Sequence, residues 1–374
     1  MIRIDEIYQN TFWPWFKQNK IGTRIFLCDP FGRSDPDSII SYDDQSIQQQ
    51  NYVFFFDQEP IDSNRHATTM VRIQDINHLC LSKNGLPYKT EQVLPGCIVT
   101  SEKDSETIAQ ICDQYNIPSA YYFFHGWAAL DWYRGYNQTF LMSSPQERVI
   151  NKTFIMPNRI IAGQRQHRLL MLYHIFKNNL KDNWISCPAI CPAENIDINT
   201  AVRSLSRTYP DIGDVFFRQT FPMQFPGETN HPMHSCWLSL FDESAECLLY
   251  LVTETVATGR RLHLTEKTFK PICLQMPFII VGTAGSLEYL HSYGFKTFSS
   301  LWDESYDGES NDIVRLEKIA QLLKELDALS QKEKQELFHA SNDIIQHNYN
   351  HFYNGGFEKI LWAELINMLE TLPI

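Results

Sequence analysis

The chain has 374 residues, of which 43% are hydrophobic and 13% aromatic, with a formal net charge of −12 and a mean hydropathy of −0.31. That is enough apolar material for two domains with separate cores, and too much for a disordered chain. The acidity argues against a broad basic face for nucleic acid, and no apolar run reaches the roughly 18 residues that a membrane span needs.

Nine thinly spread cysteines read as core residues of a reducing compartment, not as a disulfide framework. Residues 21–28 have the pattern of a buried strand ending in the turn-forming Asp29-Pro30-Phe31-Gly32. Tyr52-Val53-Phe54-Phe55-Phe56 is apolar throughout, as a central parallel strand is, and stops at Asp57-Gln58-Glu59-Pro60. Ligands of open α/β sheets bind beyond the carboxyl ends of strands, so Asp57 and Glu59 stand where chemistry takes place; they also suit a plain turn ahead of Pro60. A third strand over residues 97–102 leads into a helix carrying Ile108, Ile111 and Cys112. A fourth, Tyr121-Tyr122-Phe123-Phe124, ends at His125, a candidate acceptor or phosphate contact or else a turn histidine. Trp127, Trp132, Tyr133 and Tyr136 then form either a wall for stacking a ring or ordinary packing. The polar run Ser143-Ser144-Pro145-Gln146-Glu147-Arg148 closes a first domain over residues 1–150.

A second α/β unit, residues 151–345, opens on the strand Thr153-Phe154-Ile155-Met156 and a helix over 166–176 with Leu169, Leu170, Leu172, Tyr173 and Ile175 at helical spacing. Asn158, Arg159, Arg165 and Arg168 mark the connection. Guanidinium forks bind phosphate oxygens in pairs and stay charged, so these arginines suit a diphosphate, or are solvated on an exposed turn. No Gly-x-Gly-x-x-Gly is present, which disfavours a nicotinamide enzyme. Residues 177–245 carry many prolines and no clear pattern: Cys187 and Cys191 lack partners at zinc spacing, and His231-Pro232-Met233-His234 matches no metal pair.

Order returns with a strand over 248–253 that stops at Glu254-Thr255. Thr265-Glu266-Lys267-Thr268 then opens a helix, and the strand Pro277-Phe278-Ile279-Ile280-Val281 and the turn Gly282-Thr283-Ala284-Gly285-Ser286 follow. A helix start offers unpaired N–H groups and a positive dipole end, Lys267 adds a full charge, and Glu266 accepts from hydroxyls, a set suited to a sugar on a diphosphate. The plain alternative is a pair of solvated charges on a helix that buries Phe269, Ile272, Cys273 and Met276. Beyond it the pattern predicts a short helix over 287–290, a strand over 295–298, an acidic loop over 302–307 and a helix with Ile319, Leu322, Leu323 and Leu326 on one face. A capping box at Ser330-Gln331-Lys332-Glu333 and a helical tail over 346–374 complete the chain.

Roughly residues 248–300 resemble the donor-binding signature of the α-1,3-fucosyltransferases and, more loosely, of the exostosin-like glycosyltransferases. There a Thr/Ser-Glu-Lys helix leads into a Pro-flanked strand ending in Gly; Leu251-Val252-Thr253-Glu254-Thr255 stands where that family has a strand and a Ser-Phe-Glu-Asn-Ser-like turn. The resemblance implies an α/β fold of two Rossmann-like domains facing a cleft, GT-B-like, with the tail packing back on the first domain. It implies a glycosyltransferase that moves a sugar from a nucleotide-sugar donor to a glycan or other acceptor hydroxyl, with inversion and without a metal. Lys267 with Arg159, Arg165 and Arg168 would hold the diphosphate, and Glu254, Thr265, Glu266, Gly285 and Ser286 would complete the donor site. Glu59 is the expected base, ahead of Asp57 and His125. No cofactor beyond the nucleotide-sugar co-substrate and no membrane is expected, and the place is the cytoplasm, the host's for a viral member. Two other readings stay open: a glycosyltransferase for hydroxylated bases in DNA, which the net charge disfavours, and a non-catalytic nucleotide-sugar-binding module.

Overall fold

The computed structural model describes residues 3–19, 24–27, 40–41, 52–60, 97–138, 143–226 and 237–372. The turn expected at Asp29 to Gly32 and the His231 to His234 stretch lie outside them. Two compact units divide the chain, one of Met1–Asp131 with Lys359–Ile374 and one of Trp132–Glu358. Both are α/β with parallel strands.

In the first unit α1 (Ile4–Ile7), a π-helical turn (Tyr8–Phe12) and α2 (Trp13–Gln18) run continuously. Tyr8, Phe12 and Phe16 recur every four residues along this stretch, and the Phe12 ring lies 5.1 Å from those of both Phe55 and Tyr122. Strands β1 (Arg24–Leu27), β3 (Tyr52–Phe56), β4 (Cys97–Thr100) and β5 (Ser119–Tyr121) lie parallel in chain order, and β2 (Ile40–Ser41) pairs antiparallel with β1. Helix α3 (Glu106–Tyr115) starts where the Ser105 hydroxyl accepts from the Ile108 N–H, and buries Ile108 and Ile111.

The expected fourth strand is shorter than the aromatic run suggests. β5 stops at Tyr121, and residues 124–132 form α4 (Phe124–Trp132), buried from Phe124 through Leu130. A short all-apolar run has no period that separates a buried helix from a strand, so His125 sits in a helical first turn. Of the aromatic wall, Tyr133 is buried and Trp127 is packing: Trp127 is 1% exposed and meets Trp362 of the chain's last helix edge-on at 4.8 Å; Trp132 and Tyr136 are half-buried.

The second unit begins earlier than residue 151 because its neighbours claim the polar run. Arg148 donates to the carbonyls of Ser143, Leu274 and Gln275, which binds residues 143–148 to the second unit's core. The elements are β6 (Lys152–Met156), α5 (Gln166–Lys177), β7 (Trp184–Ile185), the β8 (Ile190–Cys191) and β9 (Ile196–Asp197) hairpin, α6 (Ile198–Ser204), α7 (Ile212–Phe217), α8 (Phe241–Ala245), β10 (Cys247–Thr253), α9 (Glu266–Cys273), β11 (Phe278–Val281) and α10 (Ser286–Ser292). Helices α11 (Asp312–Asp327), α12 (Gln331–Ala340), α13 (Asn342–Tyr353) and α14 (Gly356–Glu370) follow, with the Ser330 and Glu333 capping box formed. Residues 295–298 are not a strand. The Asn348 amide takes the place of a strand neighbour, accepting from the Lys296 N–H at 2.7 Å and donating to its carbonyl at 2.9 Å.

The four-stranded sheet is parallel throughout, in the order β11-β10-β6-β7, and β10 is buried at every residue. From β6 the chain moves to β7 on one side, then returns to lay β10 and β11 on the other. Such a reversal is the kind of switch point at which ligands of open α/β sheets bind, at the crevice edge beyond the carboxyl ends of the strands, here β6 and β10. The described parallel strands of the first unit have no such reversal. Among the described residues no helix is long and apolar enough to cross a membrane.

Candidate functional site

At the crevice the ends of β6 and β10 are bound side by side. The Thr253 hydroxyl donates to Asn158 Oδ1 at 2.8 Å. Arg168, 4% exposed, donates to the carbonyls of Ile160 (2.8 Å), Thr253 (3.0 Å) and Glu254 (3.1 Å). Its terminal nitrogens are therefore spent on backbone, and Arg168 braces the edge where the sequence suggested a phosphate ligand. The His167 ring meets the Glu254 carbonyl at 2.9 Å; burial, helped by the Arg168 charge, pushes its pKa down to about 3, so it is neutral.

Glu254 is fully buried and serves the protein itself. One carboxylate oxygen accepts from the Thr265 N–H (3.0 Å) and the Thr268 hydroxyl (2.6 Å), the other from the Thr255 N–H (3.1 Å) and the Thr265 hydroxyl (2.6 Å). The amino end of α9 thus already holds an anion. The same holds at α10, where the Asp307 carboxylate accepts from the N–H groups of Leu287 (2.9 Å) and Glu288 (3.2 Å) and its carbonyl from Gly285 (2.8 Å). Burial raises the Asp307 carboxyl above the usual range. Gly285, at φ 82°, supplies a left-handed turn, and the Ser286 hydroxyl donates to the Thr283 carbonyl. Internal carboxylates hold both helix starts that the sequence offered to a diphosphate.

What faces outward is side-chain charge. Lys267 Nζ donates to Glu266 Oε1 (2.8 Å), the Thr265 hydroxyl (3.2 Å) and the Thr255 hydroxyl (3.3 Å). Its side chain is 30% exposed against 5% for Glu266, so the ammonium is the reachable end of this knot. Arg159 and Arg165 are half-buried in the β6–α5 connection at the same edge. Two contributions were missed in the sequence. Arg260 and Arg261 lie in the β10–α9 connection, one exposed and one half-buried, and were legible as a Gly-Arg-Arg step between the strand and helix of the signature. Arg315, 2% exposed in α11, donates to the carbonyls of Gly282 (3.0 Å), Ala257 (2.6 Å) and Glu309 (2.7 Å) and fastens three loops of this edge; its place inside an ordinary helical pattern gave no signal. Among the described residues no group of three His, Cys, Asp or Glu side chains is arranged to hold a metal ion.

No protein-family model matches the chain, and no curated protein does. Among solved structures it is similar to the N-terminal domain of trehalose-6-phosphate phosphatase from Candida albicans, at 11% identity and a TM-score of 0.35, over 84% of this chain and 65% of that one. The chain thus spans 65% of the length of that structure. A likeness this distant transfers neither fold family nor activity.

In the first unit Asp57, directly after β3, is 2% exposed and accepts from the Tyr8 hydroxyl. His125 and Tyr122, both buried, interact with it electrostatically. Two of the three expected base candidates are thus brought together, with Tyr8 as a partner that the sequence did not reveal. Glu59 is half-buried. Burial pushes the Asp57 carboxyl from 3.8 up to about 6, outweighing the Tyr8 hydrogen bond and the His125 charge, which act to lower it.

This has a sign that can be measured. The folded state holds the Asp57 proton more tightly than the unfolded chain, so stability from this group is full below about pH 4 and falls as pH rises towards 6. A rise of about two pKa units corresponds to about 3 kcal/mol. Asp57→Asn removes the dependence, so its stability relative to the parent is expected to improve between pH 4 and pH 7 in paired urea titrations. A difference that stays flat across that window would show that Asp57 is not held protonated by burial.

Proposed function

We propose that the chain is a glycosyltransferase of GT-B-like arrangement that uses a nucleotide-sugar donor. The observation that carries this reading is the crevice edge of the second unit. The Thr265-Glu266-Lys267 helix start stands beyond the reversal point of a parallel sheet, with a reachable ammonium among threonine hydroxyls and a nearly buried carboxylate. Lys267, with Arg159 and Arg165 from the neighbouring connection, would take the charge that develops on the departing diphosphate. Glu266 would accept from a ribose or sugar hydroxyl, while Glu254 and Arg168 keep the edge in place.

The acceptor hydroxyl must lose its proton as it attacks the anomeric carbon, and a carboxylate is suited to receive it. Glu59 takes that role, because Asp57 is buried and already receives the Tyr8 proton donor, whereas Glu59 is half-buried. Glu59→Gln is expected to keep donor binding and to lower turnover by about 100-fold or more. The reading as a whole is tested by incubating the protein with a panel of nucleotide sugars, scoring thermal stabilisation and then nucleotide release with hydroxylated acceptors. Stabilisation without release under any acceptor would make the protein a binding module, and no stabilisation by any donor would end the donor-site reading.

A further inference from the structure

We propose that the second unit carries a separate site for an aliphatic polyamine, in a cavity at the opposite end of its sheet from the crevice. The strands of this sheet are parallel, so their amino ends share one edge. Glu246 directly precedes β10, Trp184 opens β7, and residues 147–149 lead into β6. Together with α8 they line a cavity of about 520 Å³. That volume falls within the range of small-molecule sites, and a water-sized ion would fill only a small part of it.

The described residues that line it include four acids, Glu147, Asp242, Glu243 and Glu246, against one cationic side chain, Arg148, an excess of three negative charges. Arg148 is 3% exposed and its guanidinium nitrogens donate to the carbonyls of Ser143, Leu274 and Gln275, so its hydrogen bonds go to backbone and not to these acids. Glu246 accepts from the Trp184 indole N–H at 2.6 Å. Glu243 decides the case. It is only 9% exposed, and its carbonyl accepts from the Cys247 thiol at 3.1 Å, but its carboxylate has no hydrogen-bond or ion-pair partner among the described residues. A carboxylate so far out of water without a partner disfavours the folded state, and three further acids around the same space add repulsion. A bound cation relieves both. Trp184, Val149 and Pro226 give the cavity an apolar wall as well. Lys152 Nζ, which donates to the Asp182 carbonyl, lies 5.3 Å from the centroid of the Trp184 ring, so this indole already serves as a surface for an ammonium group. Ammonium groups on methylene spacers match the acids and the apolar wall together, which a bare metal ion does not.

The test is calorimetric titration of the full chain with spermidine, putrescine and Mg2+, at low and at physiological salt. The parent is expected to take up one spermidine per chain, at least about 10-fold more tightly than putrescine or Mg2+. Glu243→Gln is expected to weaken spermidine binding by about 10-fold or more, because a charge-assisted contact is lost. Its unliganded thermal midpoint should stand at or above the parent's, since the unpartnered carboxylate is gone. Glu147→Gln/Asp242→Asn, on exposed side chains, should weaken binding likewise, and it reports the effect if Glu243→Gln does not fold. Glu370→Gln, at an exposed acid of the first unit, should bind as the parent does. The assignment is overturned if spermidine does not bind, if Mg2+ binds as tightly, if the cavity variants keep the parent's affinity, or if Glu370→Gln weakens binding as much as they do.

Discussion

Replacing Glu254 by alanine is expected to be the most damaging single change in the second unit. Its carboxylate accepts from two backbone N–H groups and two threonine hydroxyls, all of them buried. The hydroxyls of Thr265 and Thr268 can rotate towards other acceptors, but the N–H groups of Thr255 and Thr265 cannot. Each buried donor left without an acceptor costs about 1–3 kcal/mol, and the amino end of α9 loses its anion as well, so a loss of about 3–5 kcal/mol follows. At about 2–4 °C per kcal/mol this lowers the thermal midpoint by roughly 10 °C. Glu254→Gln keeps one accepting oxygen and turns an NH2 group on the other donors, so an intermediate loss is expected. A midpoint for Glu254→Ala within about 2 °C of the parent's would mean that solvent readily replaces the carboxylate, and that it does not fix the helix start.

Lys267→Ala is expected to have the largest effect on turnover. An ammonium at the departing diphosphate is worth about 2–4 kcal/mol in the transition state, roughly 30- to 1,000-fold in kcat/KM. The side chain is 30% exposed, so its removal leaves no cavity, but it takes a cationic partner at 2.8 Å from Glu266, which is 5% exposed. Part of any stability loss in the single variant therefore belongs to Glu266. The double variant Glu266→Gln/Lys267→Ala separates the two contributions: the thermal midpoint recovers because the buried carboxylate that lost its cation is now neutral, and turnover stays low. If turnover recovered together with the midpoint, Lys267 would be acting through the fold alone.

Much of the second unit could be read directly. The six apolar residues that precede Thr253 in β10, the helical spacing of α5 and the Ser330-to-Glu333 box each specify their element locally, because burial on both faces, burial on one face and reciprocal capping leave distinct residue patterns. The elements left unread or misread were those whose pattern is short or is completed from elsewhere. Helices α6 and α7 have 7 and 6 residues, fewer than two full turns, so no period develops. Phe295 and Phe298 suggested a strand, yet between them the Lys296 backbone pairs with the side chain of Asn348, 52 residues away, and the Phe298 N–H donates to Glu304.

By itself the sequence determined the α/β class, the strand ends at Asp57 and Glu254, and the helix start at Thr265, because alternation of apolar runs with turn and capping residues is written locally. It could not sort the charged residues by use. Arg148, Arg168 and Arg315 have the same chemistry as Arg159, Arg260 and Arg261, but the first three are buried against backbone carbonyls and the others are half-buried or exposed. Glu254 and Asp307 are likewise indistinguishable from surface acids until strand order sets each against a helix start. Whether a guanidinium or carboxylate meets water, a ligand or a peptide group depends on which segments the β11-β10-β6-β7 order brings beside it, and that is decided only by tertiary structure.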